Sequence, residues 1–306
     1  MIRSFDPRDD QFLADLASIQ SRLESAQRQI SSGLRVSRPS DDPDAVDDIL
    51  QFQGRIALNQ QSLSNLGRLK TEVDAGENAL QTAIHIFDQA TVLGSQGASS
   101  VTTAEQRSIL ALQVQGLLED LVGLSQTQVE DRFIFSGDSD QSPAYQLNLT
   151  AANGVDRLFP QESTRLVQLP GGSLLEASKT AQEIFDRRNP DDSIAAGNAF
   201  AALNNLRLAL ENNDESAIQS ALSDVKEAGK YLNQELAFYG VVQQRTAAAV
   251  DLAQKYDVQW KAALSDARDA DLPAAAVELA QAQTQQEATL SAQSMVRRVS
   301  LFDFLG

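Results

Sequence analysis

The feature that most constrains this chain is a pair of very long helical repeats. Apolar residues recur at alternating spacings of four and three over residues 45–97 and again over 214–268, which is the seam of a helix that packs along another helix. A helix of about 50 residues is about 75 Å long, so each stretch needs a long partner. The seams contain Ile49, Phe52, Ile56, Leu63, Leu66, Val73, Leu80 and Phe87, and then Ile218, Leu222, Val225, Leu232, Leu236, Val250, Trp260 and Leu264.

The two repeats are separated by a segment whose residue pattern is typical of β-strands and turns. Short runs of β-forming residues occur at 132–135, 145–149 and 165–169, and Pro170-Gly171-Gly172 is typical of a hairpin turn. The sequence therefore predicts a mainly α fold. We expect an elongated antiparallel helical rod, or coiled-coil bundle, built by the N- and C-terminal segments, with a small β-containing head inserted in the middle.

Shorter helices flank these parts, and their ends carry local signals. Thr102 with Glu105 three residues later has the spacing of a capping box. Asn213 is a candidate N-cap for the second long helix. In the last helix we expect the packing stripe to be Val277, Ala280, Thr284, Glu287, Leu290 and Ser294.

A hinge breaks the chain between the first helix and the long one. Ile30-Ser31-Ser32-Gly33 ends a heptad-patterned helix, where Gly33 can adopt a left-handed cap. Pro39 and Pro43 keep the residues before them out of helical geometry. Asp41 and Asp42 lie in the first turns of the next helix, where negative charge is favoured. A calcium loop is the sharper alternative, but the glycine and the closing glutamate of that motif are missing.

A second hinge, with Asp269, Asp271 and Pro273, starts the last helix. The apolar ending, with Leu301, Phe302, Phe304 and Leu305, predicts an assembly contact. The domains predicted are terminal assembly helices at 1–44 and 270–306, a helical rod at 45–131 and 190–269, and the head at 132–189. We expect the terminal helices to be marginally stable alone.

Composition narrows the functional classes. The formal net charge is -17, so phosphate backbones and anionic lipid surfaces should repel the chain, and neither nucleic acid nor a membrane is an expected partner. There is no cysteine and only one histidine, which leaves no thiolate or multi-histidine metal centre. No nucleophile has a histidine-based partner and no phosphate loop is present. We expect no enzyme activity and no cofactor, and the N-terminus does not read as a secretory signal.

The hinge residues resemble a known family. Ile30-Ser31-Ser32-Gly33, Arg35-Val36 and Asp41-Asp42 are similar to the N-terminal signature of the flagellin superfamily, and the form Pro39-Ser40-Asp41-Asp42-Pro43 resembles its hook-filament junction members. Phe133-Ile134-Phe135-Ser136-Gly137, Asp269-Ala270-Asp271-Leu272 and Ser300-Leu301-Phe302-Asp303-Phe304-Leu305 resemble segments of the same members. The resemblance covers about 130 residues at the start and about 100 at the end.

The resemblance implies a structural role in the bacterial flagellum. Such a protein joins the hook, through the first hook-associated protein, to the flagellin filament, as a ring of identical subunits. It leaves the cell through the flagellar type III export apparatus, and an export chaperone binds it before secretion. Two alternatives stay open. One is a filament flagellin with the same fold, and the other is an unrelated coiled-coil adaptor of a secretion apparatus.

Overall fold

The computed structural model describes residues 7–160, 163 and 166–296, and this part of the chain is mainly α-helical. The helices are α1 (Pro7–Ser32), α2 (Pro43–Gly97), α3 (Ala104–Ser125), α4 (Ala181–Ile184), α5 (Ala199–Glu211), α6 (Glu215–Arg268) and α7 (Leu272–Val296). The strands are β1 (Gln128–Val129), β2 (Arg132–Phe133), β3 (Tyr145–Leu147), β4 (Val155–Arg157), β5 (Leu166–Gln168) and β6 (Leu174–Glu176). The predicted fold class, mainly α with a small β-containing middle segment, is confirmed.

The chain divides into two compact units. The first comprises Met1–Gln60 with Lys255–Gly306, and the second comprises Gln61–Gln254. The division into terminal helices, rod and head, with the residue boundaries given above, stays a prediction.

In the second unit α2 and α6 run antiparallel. Gly94 of α2 lies against Leu222 of α6, Phe87 lies against Gly229, and Gly76 lies against the ring of Tyr239. Positions that ascend along α2 therefore meet positions that descend along α6. Each of these three contacts pairs a glycine with a Leu, Phe or Tyr side chain, and the missing glycine side chain lets the two helices approach closely there.

The heptad seam of α2 forms the centre of that unit. The predicted seam residues Leu66, Val73, Leu80 and Phe87, spaced seven apart, are all buried. They join one apolar cluster with residues of α3, α5 and α6. This contiguous core explains why a chain poor in aromatic residues can hold such long helices: the burial is spread along narrow seams.

Two helix ends differ from the prediction. The capping box of α3 is Thr103 with Gln106, one residue later than predicted. Helix α6 is capped by Asp214, whose Oδ1 accepts from the Ala217 amide at 3.0 Å. Asn213 has φ +54 and its side chain instead accepts from Arg107 at 2.7 Å. In both places two adjacent polar residues compete for the cap, and tertiary contacts decide between them.

The middle segment contains three antiparallel hairpins: β1 with β2, β3 with β4, and β5 with β6. The predicted turn at 170–172 joins β5 to β6, with Leu166 opposite Glu176. Strand β4, which pairs Val155 with Leu147, and the short helix α4 were not predicted from the sequence. Both are three or four residues long, too short to leave a periodic signal.

A buried carboxylate ties the middle segment together. Asp186 is fully buried and accepts hydrogen bonds from Tyr145 Oη at 3.0 Å, Asn153 Nδ2 at 3.0 Å, Asn198 Nδ2 at 2.8 Å and Arg188 Nε at 2.7 Å. Burial, followed by the nearby Asp186 charge, raises the pKa of Tyr145. The four donors come from β3, the loop before β4 and the segments around α4 and α5, so one anion fixes the relative positions of all of them.

Replacing this carboxylate should destabilise the second unit. Asp186→Ala removes the acceptor that these four donors share, one of them on the partly buried cation Arg188, and we expect a loss of about 3 kcal/mol in the free energy of unfolding. Urea unfolding followed by circular dichroism measures it. Asp191→Ala is the matched control, since that exposed carboxylate bonds only within its own turn, to Ser193. Equal unfolding midpoints for the two variants would contradict the role given to Asp186.

Candidate functional site: a paired hinge

The two hinges predicted from the sequence pair with each other in the first unit. Leu34 and Asp269 form an antiparallel β-bridge. The amide of Ala270 donates to Gly33 O at 2.9 Å, and the amides of Arg35 and Val36 donate to Arg268 O at 2.8 and 3.1 Å. Residues 235 positions apart in the chain are thereby held in register by backbone hydrogen bonds.

Gly33 ends α1 in the predicted left-handed conformation. Its φ is +71, and its amide donates to Gln29 O at 2.9 Å. The hydroxyls of Ser31 and Ser32 donate to Arg28 O at 3.0 and 2.7 Å, so both serine side chains fold back onto the last turn of α1. No heavy atom lies within 4 Å of the position a Gly33 Cβ would occupy. The backbone angle, and not crowding, therefore selects glycine here.

Arg35 links the first hinge to both neighbouring helices. One guanidinium nitrogen bonds Asp42 Oδ2 at 2.6 Å, and the other donates to Ala267 O, in the last turn of α6, at 2.6 Å. A cation at a helix C-terminus also interacts favourably with the helix dipole. The sequence motif includes Arg35, but the role of its side chain was not predicted. Its acceptor is the main-chain carbonyl of Ala267, and a main-chain acceptor leaves no pattern in the sequence.

The two aspartates of the first hinge have different roles. Asp42 caps α2, as predicted, by accepting from the Ala45 amide at 3.2 Å. The placement of Asp41 in the first turns of α2 is wrong. Its Oδ2 faces the opposite way and accepts from the amides of Ser37 and Arg38 and from the Ser37 hydroxyl, at 2.8–3.0 Å.

Both carboxylates have lowered pKa values. The bond from the Arg38 amide is the main cause for Asp41, and the bond from Arg35 is the main cause for Asp42. The two anions are therefore occupied by protein donors and hold the turn closed.

The second hinge repeats the same construction. Asp271 caps α7 through the Ala274 amide at 3.0 Å, and Pro273 lies in the first turn of that helix, as predicted. Asp269 accepts from Ser265 Oγ at 2.7 Å, which together with Arg268 lowers the pKa of its carboxyl. Each hinge thus ends with an aspartate that starts the outgoing helix.

Beyond the hinges, α1 packs against α7. Ala26, Ala275 and Ala282 are buried, and Arg22 bridges to Glu278 at 2.6 Å. The predicted packing stripe of α7 is wrong, since Val277 and Leu290 are 58% and 50% exposed. The shielded face instead carries Ala275, Leu279, Ala282, Gln286, Thr289 and Gln293. Alanine is common on both faces of α7, so composition did not distinguish them.

Other predicted site residues are not brought together by the pairing. Ile30, Pro39 and Pro43 are solvent-exposed at the rim of the hinge. The predicted apolar ending, Leu301, Phe302, Phe304 and Leu305, lies outside the described residues.

The paired hinge is held by hydrogen bonds and an ion pair within the chain. Its polar groups bond one another or helix ends, and over the described ranges no group of three or more His, Cys, Asp or Glu side chains could hold a metal ion. Within the same residues, no helix has the length and apolar character needed to cross a membrane. The arrangement can fix the directions in which four helices leave one point.

Substituting Gly33 should open the hinge. Gly33→Val forces a β-branched residue to φ +71, so we expect a destabilised β-bridge and faster exchange of the Arg35 and Ala270 amides. Hydrogen exchange measures this. Gly54→Ala in α2 is the control, because that glycine has ordinary φ and open space around it. Unchanged exchange at Arg35 and Ala270 would show that the hinge does not depend on the left-handed turn.

The hinge should also open in acid. Because the folded-state pKa of Asp41 lies below its usual value of 3.8, its contribution to stability is present above about pH 4 and is lost as the pH falls through the lowered pKa. We expect the Ser37 and Arg38 amide resonances of the wild type to shift in that pH window. We expect the Asp41→Asn variant to show the same shifted resonances at pH 7. Asp47→Asn, on an exposed face of α2, serves as the control. An Asp41→Asn spectrum with wild-type Ser37 and Arg38 resonances would contradict the assignment.

Comparisons with known proteins match both halves of this hinge. The family model for the bacterial flagellin N-terminal helical region matches residues 10–140, and that for the flagellin C-terminal helical region matches residues 222–305. Together the two models span more than half of the chain, and each contains one of the two paired hinge strands.

Individual relatives agree with the family models. The chain is 24% identical over 267 residues to flagellar hook-associated protein 3 of Escherichia coli, covering 78% of this chain and 82% of that protein. It superposes on a putative flagellar hook-associated protein from Vibrio parahaemolyticus with TM-score 0.64 and 18% identity, covering 75% of this chain and 100% of the other. It also superposes on the flagellar junction protein FlgL from Legionella pneumophila with TM-score 0.56 and 14% identity, covering 72% and 100%. This chain belongs to the bacterial flagellin superfamily.

Proposed function

We propose that this protein is a structural adaptor of the bacterial flagellum that joins the hook, through the first hook-associated protein, to the flagellin filament. The observation that carries the proposal is the paired hinge. It lies in the regions matched by the flagellin family models, and it directs two helix pairs from one closed point. Relatives named hook-associated protein 3 or junction protein favour the junction over the filament as the place of action.

The first unit has apolar surface that neighbouring subunits would bury on assembly. The residues of the α1 seam, Phe12, Leu16, Ile19 and Leu23, are only half-buried in the single chain. Exposed aliphatic side chains remain along both terminal helices, at Leu13, Val277 and Leu290. A helix pair with such incomplete burial gains stability when neighbouring subunits cover it.

The partners that follow are other flagellar proteins. They are identical subunits in a ring, the first hook-associated protein on one side, flagellin on the other, and an export chaperone before secretion. The protein acts outside the cell in the flagellum and needs no cofactor and no catalysis. The bonds of the hinge carboxylates to amides, a hydroxyl and Arg35 support a mechanical role for this site.

Immunogold labelling of flagella on intact cells tests the proposal. We expect a band of label where the hook ends, and in cells lacking this protein we expect hooks without attached filaments. Antibody against flagellin in the same cells provides the control for label along the filament. Label along the whole filament would mean that the protein is a filament flagellin, and label confined to the cell envelope would favour a secretion-apparatus adaptor.

A further inference from the structure

We propose that neighbouring copies of this chain contact each other through two unlike surfaces of the second unit. One surface is an acidic apolar groove between α2 and α3, and the other is a basic apolar stripe on α6. The inference rests on the proposed function, because it identifies the contact by which subunits of the junction ring associate. Below, "the groove" means Asp88, Gln89, Val92, Leu93, Gln113 and Leu117, and "the stripe" means Lys230, Ala237, Val241, Arg245 and Ala248.

The groove is concave and apolar. It is an open depression of about 460 Å³ whose apolar lining is Val92, Leu93 and Leu117, and this volume accommodates a few aliphatic side chains. Val92 is 56% exposed, and Ile109, one turn before Gln113 on the same face of α3, is 58% exposed. A concave apolar surface left open to water favours a protein partner.

The stripe is convex and matches the groove in character. Val241 is 55% exposed, and Ala237 and Ala248 lie one and two turns away on the same exposed face of α6. A single large aliphatic side chain flanked by alanines forms a narrow ridge. Such a ridge fits between two helices more readily than onto a flat surface.

The two surfaces lie on opposite sides of the α2–α6 pair. Gly94 and Tyr239 mark the faces with which α2 and α6 contact each other. Val92 precedes Gly94 by two residues and Val241 follows Tyr239 by two, so each lies about 200° round its helix from that contact. The groove therefore faces away from α6, and the stripe faces away from α2.

Their charges are complementary. The groove and its ends carry the exposed acids Asp88, Glu105 and Asp120, whereas the stripe carries Lys230 and Arg245. In a chain of net charge -17 most pairs of surfaces repel each other. A contact between the basic stripe of one copy and the acidic groove of another is therefore favoured. A contact between two grooves would bring like charges together.

A contact between unlike surfaces has a consequence for symmetry. Each copy offers one groove and one stripe, so the contact repeats from subunit to subunit and closes a ring when the rotation allows it. A symmetric dimer would use the same surface twice and stop at two copies. The groove and the stripe lie on opposite sides of the α2–α6 pair and at different heights along it, so the contact repeats with each copy staggered against the next.

Disulfide cross-linking tests the contact, because the chain contains no cysteine. The double variant Gln113→Cys with Val241→Cys places one thiol in the groove and one on the stripe. In flagella isolated from cells and oxidised, we expect it to give a ladder of cross-linked multimers, and each single variant to give monomers. Gln113→Cys with Ser173→Cys, whose second thiol lies in the exposed turn between β5 and β6, is the matched control and should give no ladder.

Immunogold labelling of the same flagella separates the two proposals. Label at the end of the hook without a ladder in the double variant would overturn this contact and leave the proposed function standing. Dimers from Gln113→Cys alone would also overturn it, since they indicate a symmetric contact, and so would an equal ladder from the Ser173→Cys control. Absence of label at the hook would overturn the proposed function and this inference together.

A charge exchange tests the electrostatic part. In the double-cysteine background, Arg245→Glu should reduce the cross-linked product about tenfold, because it places an acid against the acidic groove. Adding Asp88→Arg should restore the product. Failure of the restored pair to recover, with both proteins folded by circular dichroism, would contradict the assigned pairing of the two surfaces.

Discussion

The backbone pairing of the two hinge strands is the interaction on which the first unit depends, because it joins the two segments at which four helices start or end. Each helix end leaves backbone donors or acceptors without a partner in the helix. Here Asp42 and Asp271 accept bonds from the amides at the starts of α2 and α7, and the Gly33 amide bonds the Gln29 carbonyl at the end of α1. The last carbonyls of α6 accept hydrogen bonds from the other strand, where Arg35 donates through its backbone amide and through its guanidinium.

This arrangement makes the two hinges one structural element. If the first strand moves away, α6 loses the donors to its last carbonyls, and the cost of those uncapped groups opposes the movement. The directions of the helices that leave the hinge are therefore coupled.

The second unit is held together differently, by burial along seams and by one buried anion. Glycines at Gly76, Gly94 and Gly229 set how closely α2 and α6 approach, and Asp186 fixes the β3–β4 hairpin and the segment after α4 against the start of α5. The middle segment has too few apolar residues per strand for its hairpins to be stable alone. A satisfied buried carboxylate compensates by defining a single arrangement of several loops.

The sequence predicted the parts of this molecule that repeat or that depend on a special backbone angle. The seam of α2 and the left-handed Gly33 follow from periodicity and from the properties of glycine. Asp41 could not be placed, because several adjacent aspartates fit a helix start and only the fold decides which one turns back to Ser37 and Arg38. Asp186 left no signal, since its four donors are far apart in the chain. The shielded face of α7 was missed because alanine lines both faces of that helix.

The strong negative charge of the chain gives a physical reason for the order of events in assembly. Copies in solution repel one another at distances comparable to the Debye length, about 8 Å at physiological salt, and only closely apposed complementary surfaces overcome this. Terminal helices with half-buried seams add little attraction until several neighbours cover them together. In the proposed assembly, free subunits therefore stay apart, whereas a subunit placed on an existing end meets its neighbours at fixed positions, where short-range apolar contacts outweigh the repulsion. In the proposed assembly, the same balance allows a free subunit to have a closed hinge and still not assemble until it reaches the existing end.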